Sequence, residues 1–559
     1  MATYHGLKLK FGIMCDNYHF PTWEAQCIKT LIASGYAEPI LLIRDVTQQE
    51  REPYRKKIFR NDFLAEMFDT WWLRKRSKAL KKTSLFEQLK DVKIVDCSVI
   101  QKGKFSQYFT NEDIEIIKSY QLDFILRFGF NIIRGEILNA ARYGVWSYHH
   151  DDENLYRGGP PCFWEILHGD PKTGVILQKL TDRLDGGIIL HRGYFKTSPV
   201  SYVANLDRAY LGSTEWCARL CAEIVWGQTD KFTSQPSRSQ APIYRFPSNL
   251  QFIYFLFRMA SSLIERIYRL TFYIDVWNVG ITQDCIEDII DNGYINNIKW
   301  IKQNKSKHYI ADPFAYINNG KYHVLVEDFD YTSGGKISEL ILPDGLQEYN
   351  LKPVLQGSYH MSHPYIFCEN GDLYCIPETH EIRKVCLYKK TNETWEYVRT
   401  LIEGLPIVDP VLFRYHDFYW IFCTHQNDGF YGNLKLHAYY AEHLESTWQP
   451  HPLNPLKCDV SSSRSAGNPV MLGGKLYRPS QDCSETYGGA VVMNEILTLS
   501  PIAFSEIPVA HIKPRQSSPY PHGLHTLNAL ENATVVDSKR FAFDLLAWRK
   551  NPFFKDFWD

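Results

Sequence analysis

The strongest constraint on this chain is a repeat in its C-terminal half. From about residue 305 a unit recurs that opens on a small or polar pair, usually followed by proline and an apolar residue, passes a polar or glycine turn, and ends in an aromatic-rich stretch. Its copies are Ala311-Asp312-Pro313-Phe314 running to Tyr322 and Val326, Ser362-His363-Pro364-Tyr365 to Tyr374 and Ile376, Val408-Asp409-Pro410-Val411 to Tyr419 and Phe422, and Gly467-Asn468-Pro469-Val470 to Tyr477. A weaker fifth copy begins at Leu524-His525-Thr526. The second residues of successive copies are 51, 46, 59 and 57 residues apart. A period of about 50 residues with several short strands per copy predicts the blades of a five-bladed β-propeller. Blades cannot bury both faces alone, so the array stands as one unit. Asp312, His363, Asp409, Asn468 and His525 share one repeat position and are expected to ring the central channel. Asp-Pro and Asn-Pro pairs also make turns, which is the plain structural account of the same residues.

The first half reads differently. The apolar run Leu9 to Met14 ends in Cys15, Asp16 and Asn17, a helical pattern fills Trp23 to Ser34, Gly35 stops it, and Ile40 to Ile43 is a second apolar run. This is a β-α-β unit. Arg74 to Lys82 reads as a basic helical segment, Lys93 to Val95 as a strand, Asp113 to Tyr120 as a short helix and Phe124 to Phe128 as a buried strand. Together they predict an open, mostly parallel, Rossmann-like sheet with helices on both faces. No GxGxxG follows the first strand, so a dinucleotide site is not expected. The fold class is therefore α/β plus all-β, divided into an α/β domain over 1–245, a helical linker over 246–304 and the propeller over 305–559.

With 62 Lys plus Arg against 63 Asp plus Glu, no global field draws in nucleic acid or acidic membranes. The 13 cysteines lack CxxC pairs or a repeating spacing, which speaks against a zinc site or disulfide scaffold and for the reducing cytoplasm. The first fourteen residues match neither a signal peptide nor a transmembrane span. Leu250 to Ile281 is interrupted by Arg258, Glu265, Arg266 and Arg269, so it does not cross a bilayer. Its pattern suits a helix docked between domains, the commoner case, or one in peripheral contact with a membrane interface.

The densest chemistry lies between Arg142 and Leu190. It runs Gly144-Val145-Trp146-Ser147-Tyr148-His149-His150-Asp151-Asp152, then Tyr156-Arg157-Gly158-Gly159-Pro160-Pro161, Thr173-Gly174-Val175 and Leu184-Asp185-Gly186-Gly187. If Val145 to His149 is a strand, Ser147 and His149 share one face and His150 takes the other. Gly174 to Leu180 and Ile188 to Tyr194 then form a hairpin. Two ligands without a third make His150 and Asp152 a weak metal pair, so no metal is expected.

These residues, over roughly 80 to 195, resemble the formyltransferase family, which uses 10-formyltetrahydrofolate to formylate amines on initiator tRNA, purine precursors or nucleotide-linked amino sugars. Gly144, His149, Tyr156-Arg157-Gly158, Pro161, Thr173-Gly174-Val175 and Leu184-Asp185-Gly187 fall where that family's pattern places them. The resemblance implies that His149 donates to the oxyanion or moves the amine proton, with Asp185 orienting its ring. Ser147 stands where the family has an asparagine, a shorter donor of different reach. Asp151-Asp152-Glu153-Asn154 replaces the family's Ser-Leu-Leu-Pro, and its acids, Asp151 and Asp152 as candidates for the substrate, would position a different amine, bind a metal with His149 or repel a polyanionic substrate. By the same resemblance Arg127, Phe128 and Gly129 would meet the pterin, while Arg157 and Gly158 form a tight turn near the cofactor.

The repeat resembles five-bladed propellers of arabinanase and xylosidase type and the N-terminal propeller associated with plant glucosamine inositolphosphorylceramide transferases. In the hydrolases a carboxylate at the first blade start is a general base, a later Asp tunes pKa and a Glu is the acid. Asp312 and Asp409 match the first two roles by position, and Glu378 and Glu485 are candidates for the third. Arg478 and Asp482 add polar groups near the same rim. The expected function is a formyltransferase-like enzyme of surface-glycan biosynthesis acting on an amino sugar, nucleotide sugar or glycan held by a carbohydrate-binding propeller. The alternatives are a glycoside-processing enzyme acting through the propeller and a non-catalytic carbohydrate-binding scaffold.

Overall fold

The computed structural model describes residues 8–47, 60–103, 105–184, 186–302, 308–331, 334–342, 351–392, 394–426, 432–530 and 533–550. The chain divides into two compact units, Met1–Leu263 and Ile264–Asp559.

The first unit is built on a seven-stranded sheet. In spatial order its strands are Ile188–Lys196, Lys172–Lys179, Val145–His149, Phe124–Arg127, Leu9–Cys15, Ala37–Asp45 and Lys93–Cys97. The last five run parallel and the first two form an antiparallel hairpin on Val145–His149. Parallel strands covered on both faces need near-continuous apolar runs. Phe11, Ile13 and Met14 with Phe124, Ile125 and Leu126 supply them, all buried. The rings of Phe11, Phe124 and Trp146 stack across three neighbouring strands, with centroids 5.3 and 4.0 Å apart. The helix Thr22–Ala33 buries Trp23, Cys27, Ile28 and Leu31. Thr110 caps the helix Asn111–Ser119 by accepting the Asp113 N–H at 3.1 Å.

Two segments differ from the sequence expectation. The helical stretch expected over Arg74 to Lys82 lies earlier, as the consecutive helices Phe63–Phe68, Asp69–Leu73 and Arg74–Arg76, and Lys82–Ser84 is a strand paired with His19–Pro21. Over Leu250 to Ile281 the helix Asn249–Phe272 gives way to the strand Tyr273–Thr282. That helix buries only Phe252 and Phe255. No helix among the described residues is long and apolar enough to cross a membrane.

The second unit holds five antiparallel sheets among its described residues. The first has strands His308–Asn318, Lys321–Asp330, Gly334–Leu342 and Leu351–Leu355, and the second Ser362–Glu369, Asp372–Glu378, Lys384–Thr391 and Thr394–Glu403. The third has Ile407–Tyr415, Phe418–His425, Lys435–Ala441 and Gln449–Pro450, and the fourth Val470–Leu472, Lys475–Asp482, Ala490–Ser500 and Ala503–Ile512. The fifth is assembled from both ends of the unit: Lys299–Trp300 and Tyr273–Thr282 join Thr534–Phe543 and Gly523–Ala529, with Tyr273–Thr282 pairing along all ten residues of Thr534–Phe543. Phe314, Leu325, Ile376 and Val411 share one apolar core across the first three sheets. Val491, Met493, Leu527 and Val536 join the fourth to the fifth, and Val279, Val535, Ile310 and Val324 join the fifth to the first. Phe422 and Phe504 link the third and fourth, with ring centroids 5.8 Å apart.

Candidate functional site

In the second unit the repeat position becomes a shared distortion. The pairing of the first two strands slips at Ala311/Phe314, Ser362/Tyr365 and Val408/Val411, and the two strands of the fifth copy slip at Leu524/Thr526. Asp312, His363 and Asp409 take φ of +50°, +43° and +46°, a region that side chains other than glycine seldom enter. A bulge leaves residues out of the ladder and re-aims them. Four of the five expected residues meet as a result. His363 N–H donates to Asp312 Oδ2 at 3.2 Å, and His363 Nδ1 lies 3.8 Å from Asp409 Oδ1. His525 Nε2 is 3.1 Å from Asp312 Oδ1, and its Nδ1 is 2.7 Å from Asp537 Oδ2, though off the line of a hydrogen bond.

Asn468 does not join them. It is half-buried, and its N–H donates to Asn528 Oδ1 at 2.8 Å. The first strand of its sheet is only Val470–Leu472, so Asn468 falls in the preceding loop and no bulge turns it inward. That sheet's neighbourhood contributes Arg464 and Gln481 instead. Arg464 donates through Nε and Nη2 to the two oxygens of Asp409, at 2.5 and 3.2 Å, and Gln481 Nε2 donates to the same carboxylate at 3.0 Å.

Electrostatics divides the acids of this ring. Burial alone would raise Asp312 and Asp409, but the His525 imidazolium beside Asp312 and the Arg464 guanidinium on Asp409 outweigh it and hold both below the usual carboxylate range. Burial also opposes a charge on His525, yet Asp537 and Asp312 lift it to about 10. Burial, with Asp409 nearby, pushes Glu378 up to about 7, and burial beside Asp312 pushes Glu327 well above its ordinary value. Glu378 Oε2 accepts the Asp409 N–H at 3.0 Å, and its Oε1 is 2.7 Å from His380 Nδ1. Glu327 was not among the candidates, although the sequence holds the signal for it. It stands 15 residues after Asp312, as Glu378 does after His363 and Thr424 after Asp409. Glu485 is exposed. Arg478 turns away to Glu506, 2.7 Å from its Oε1, while Asp482 lies 3.2 Å from His511.

In the first unit Val145–His149 is a strand, as expected, with Ser147 and His149 paired to Gln178 and Ile176. Arg127 donates to Ser147 Oγ from Nε at 3.1 Å and from Nη2 at 2.9 Å, and its Nη1 donates to the Asn131 carbonyl at 2.8 Å. His149 Nε2 is 3.1 Å from the Tyr156 carbonyl. A carbonyl can only accept, so Nε2 carries the proton and the neutral ring's basic nitrogen is Nδ1. Asp185 lies outside the described residues. His150 points to the other face and stacks on Tyr210 at 3.5 Å, with burial holding its pKa well down.

The acids after His150 are engaged inside the unit. Asp151 Oδ1 accepts the Cys162 N–H at 2.8 Å, and Asp152 takes Arg192 at 2.8 Å and the Tyr194 hydroxyl at 3.1 Å. Phe128 packs edge-on against Trp23. Gly129 is required by close packing, since a Cβ there would sit 2.9 Å from Cys15 Cα. Arg157 donates to the carbonyls of Leu184 at 2.7 Å and Ala241 at 3.4 Å, while Gly158, at φ +90°, presses on the Tyr244 carbonyl. Glu24 is a further candidate that sequence reasoning passed over. It is buried near Arg127, and burial raises it to about 8. Its spacing from Ile28 and Leu31 put an acid on the apolar stripe, which was the available signal.

Residues 287–521 match the family model described as the N-terminal part of glucosamine inositolphosphorylceramide transferase 1. Glucosamine inositolphosphorylceramide transferase 1 of Arabidopsis thaliana is 28% identical over 227 residues, 39% of this chain and 30% of that protein. Methionyl-tRNA formyltransferase of Prochlorococcus marinus (strain NATL2A) is 24% identical over 172 residues, 31% of this chain and 43% of that protein. The chain thus spans less than half the length of either relative. Among solved structures, an exo-beta-1,3-galactanase from Phanerochaete chrysosporium aligns over 38% of this chain and 54% of its own, with 12% identity and a TM-score of 0.30. Glycinamide ribonucleotide transformylase 1 from Symbiobacterium toebii aligns over 39% of this chain and 89% of its own, with 12% identity and a TM-score of 0.27. The chain is therefore a composite, a formyltransferase-like N-terminal part joined to a part similar to the N-terminal region of glucosamine inositolphosphorylceramide transferase 1.

Proposed function

We propose that the protein is a cytoplasmic transferase of glycan assembly. Its first unit moves a formyl group onto the amine of an amino sugar, and its second unit, read as a five-bladed propeller, binds the sugar or nucleotide-linked part of a substrate in its central ring. The observation that carries this reading is the pair of hydrogen bonds that Arg127 donates to the Ser147 hydroxyl oxygen. Both N–H groups occupy lone pairs of the hydroxyl oxygen, and a cation there makes the O–H, which without substrate donates to the Tyr148 carbonyl at 3.4 Å, a stronger donor. Ser147 so polarised offsets part of what is lost by standing in place of an asparagine. Arg127 is thereby a positioning residue for Ser147.

A folate-type donor, implied by the resemblance, would supply an activated formyl group when bound. The donor set at the strand, one hydroxyl and one imidazole, suits the reacting end of such a group. Ser147 donates its proton toward the oxygen on which negative charge develops. His149 takes the amine's proton at Nδ1, its other nitrogen being held by the Tyr156 carbonyl. The spacing of the 13 cysteines, without CxxC pairs or a repeat, is what suggests a reducing compartment.

Calorimetric titration of the full chain with 5-formyltetrahydrofolate tests the reading. The expected result is micromolar binding that His149→Ala removes. Absence of binding at millimolar ligand overturns it.

A second reading, glycoside processing in the second unit, is favoured by the split between ionised Asp312 and the raised Glu378, the pattern of a base and an acid at one site. Under it Asp312→Asn abolishes release of sugar from an aryl glycoside. Under the first reading the same variant leaves formyl transfer intact.

A further inference from the structure

One stretch of the first unit's surface is both strongly cationic and apolar. From Arg74 to Lys82 six of nine residues are cations, Arg74, Lys75, Arg76, Lys78, Lys81 and Lys82, with no acid among them, and all six are exposed. Among the described residues only Arg74 of these six forms an ion pair, with Asp69 at 2.8 Å. Immediately before them Trp71 is 60% and Trp72 49% exposed. Indoles are ordinarily well buried. Here each carries a cation from four residues further on: Lys75 Nζ lies 4.5 Å from the Trp71 ring centroid, and the Arg76 guanidinium 4.7 Å from that of Trp72.

The segment is held firmly from behind. Asp207 accepts hydrogen bonds from the Ser77 hydroxyl, from the Lys78 N–H at 2.8 Å and from the Ala79 N–H at 2.9 Å, and Leu73, Ser77 and Ala79 are buried. The exposure of the indoles is therefore a property of the fold and not of a frayed end. Beside the segment starts the helix Asn249–Phe272. Asn249 Oδ1 accepts the Leu64 N–H at 2.9 Å, and the rings of Phe68 and Phe252 lie 5.4 Å apart. The first turns of that helix bury Phe252 and Phe255 yet expose Leu250 (79%), Ile253, Tyr254 and Phe257 (66%), at the three- and four-residue spacing of one helix face.

A run of like charges is ordinarily a solvated face. Solvation accounts for the lysines, but not for two exposed indoles and four exposed apolar side chains next to them, since apolar patches of that kind mark interaction surfaces. From the unpaired cations, the indoles and the apolar helix turns together, we propose that this part of the first unit docks on an anionic phospholipid surface. The inference is independent of the formyl-transfer reading. The cations meet the lipid headgroup charges. Tryptophan rings settle at headgroup depth, and Lys75 and Arg76 keep their charged ends there while their stems run along the indoles. Leu250, Ile253, Tyr254 and Phe257 add the apolar contact that charge alone does not supply.

Two other occupants fit less well. Single-stranded nucleic acid stacks its bases on free aromatic faces, and one face of each indole is already covered by its own cation. A second copy of this chain, in a two-fold contact through the same patch, would set six cations against six.

The test is co-sedimentation of the full chain with vesicles of phosphatidylcholine alone and of equal parts phosphatidylcholine and phosphatidylserine, at low and at high salt. A parallel set carries brominated acyl chains, which quench inserted tryptophan. Binding is expected to be at least about tenfold tighter to the anionic vesicles and to weaken as salt rises, with the bromolipid quenching fluorescence. Trp71→Ala with Trp72→Ala should weaken binding at least about tenfold and remove most of the quenching. Lys75→Gln with Lys78→Gln should weaken it by a similar factor, and being confined to exposed side chains it decides the matter if the indole variant fails to fold. Equal binding to both vesicles, no binding, or variants that bind as tightly as the parent overturn the proposal. So does tighter binding of polyuridylate than of the anionic vesicles, and so does a dimer of the full chain that the indole variant dissolves.

Discussion

Arg127 and Ser147 make a claim that single substitutions can check. Loss of one oxyanion donor costs about 10²–10³ in rate, so Ser147→Ala should lower kcat of formyl transfer by about that factor with KM for the donor little changed. Arg127→Ala should lose a similar amount through the same hydroxyl, and the double variant should cost little more than either alone, which steady-state kinetics would read directly. The second unit offers a pH signature. His525 is raised from 6.5 to about 10, so its contribution to stability is complete below about pH 6.5 and is lost as pH climbs toward 10. Glu378, raised from 4.5 to about 7, also favours the folded state only while protonated. Asp312 and Asp409 have the opposite sign, since their lowered values contribute above the ordinary 3.8 and fail in stronger acid. The melting temperature of the second unit should therefore fall across the alkaline range, and His525→Gln should flatten that fall. At this scale the sequence identified Asp312, His363, Asp409 and His525 because a repeat places equivalent side chains together. It passed over Glu327 in an apolar run and Glu24 on an apolar helix stripe, where an acid is easily taken for a surface residue.

Elements with a clear apolar run were legible even where the partner is distant, as the paired Leu9–Cys15 and Phe124–Arg127 show, and those continuous with another pattern were not. The strand Val145–His149 and its hairpin follow from alternation and glycine spacing. By contrast Tyr273–Thr282 was merged with the helix before it, because no glycine or proline marks the boundary at Phe272 and its longer partner, Thr534–Phe543, is far along the chain. The Asn468 expectation assumed a full-length first strand, which the fourth sheet does not have. The motif glycine Gly174 has a structural reason, since a Cβ there would lie 2.6 Å from Asp152 Cβ and 2.7 Å from its backbone nitrogen. Gly174→Ala should cost about 1–3 kcal/mol by overpacking, seen as a lower denaturant midpoint for the first unit while the second unit's transition stays in place.

The whole molecule holds two compact units in one chain, and the boundary between them falls inside the helix Asn249–Phe272. Sequence placed a linker over 246–304 because helical periodicity dominates there, whereas the structure gives part of that span to the fifth sheet. Removing residues from 534 onward should leave Tyr273–Thr282 without its partner, and thermal unfolding of the truncated chain is expected to lose the second unit's cooperative transition. A separately melting, still cooperative second unit would refute that expectation. Because Tyr273–Thr282 and Thr534–Phe543 lie side by side with Tyr273 opposite Phe543, the start of one strand and the end of the other are neighbours in space. A circular permutant of the isolated unit, with a short linker across those ends and new termini opened between Thr391 and Thr394, needs no strand to move. The same feature makes a missing terminus more damaging than a nick in an outer turn, so the unit is vulnerable at its clasp rather than at its rim.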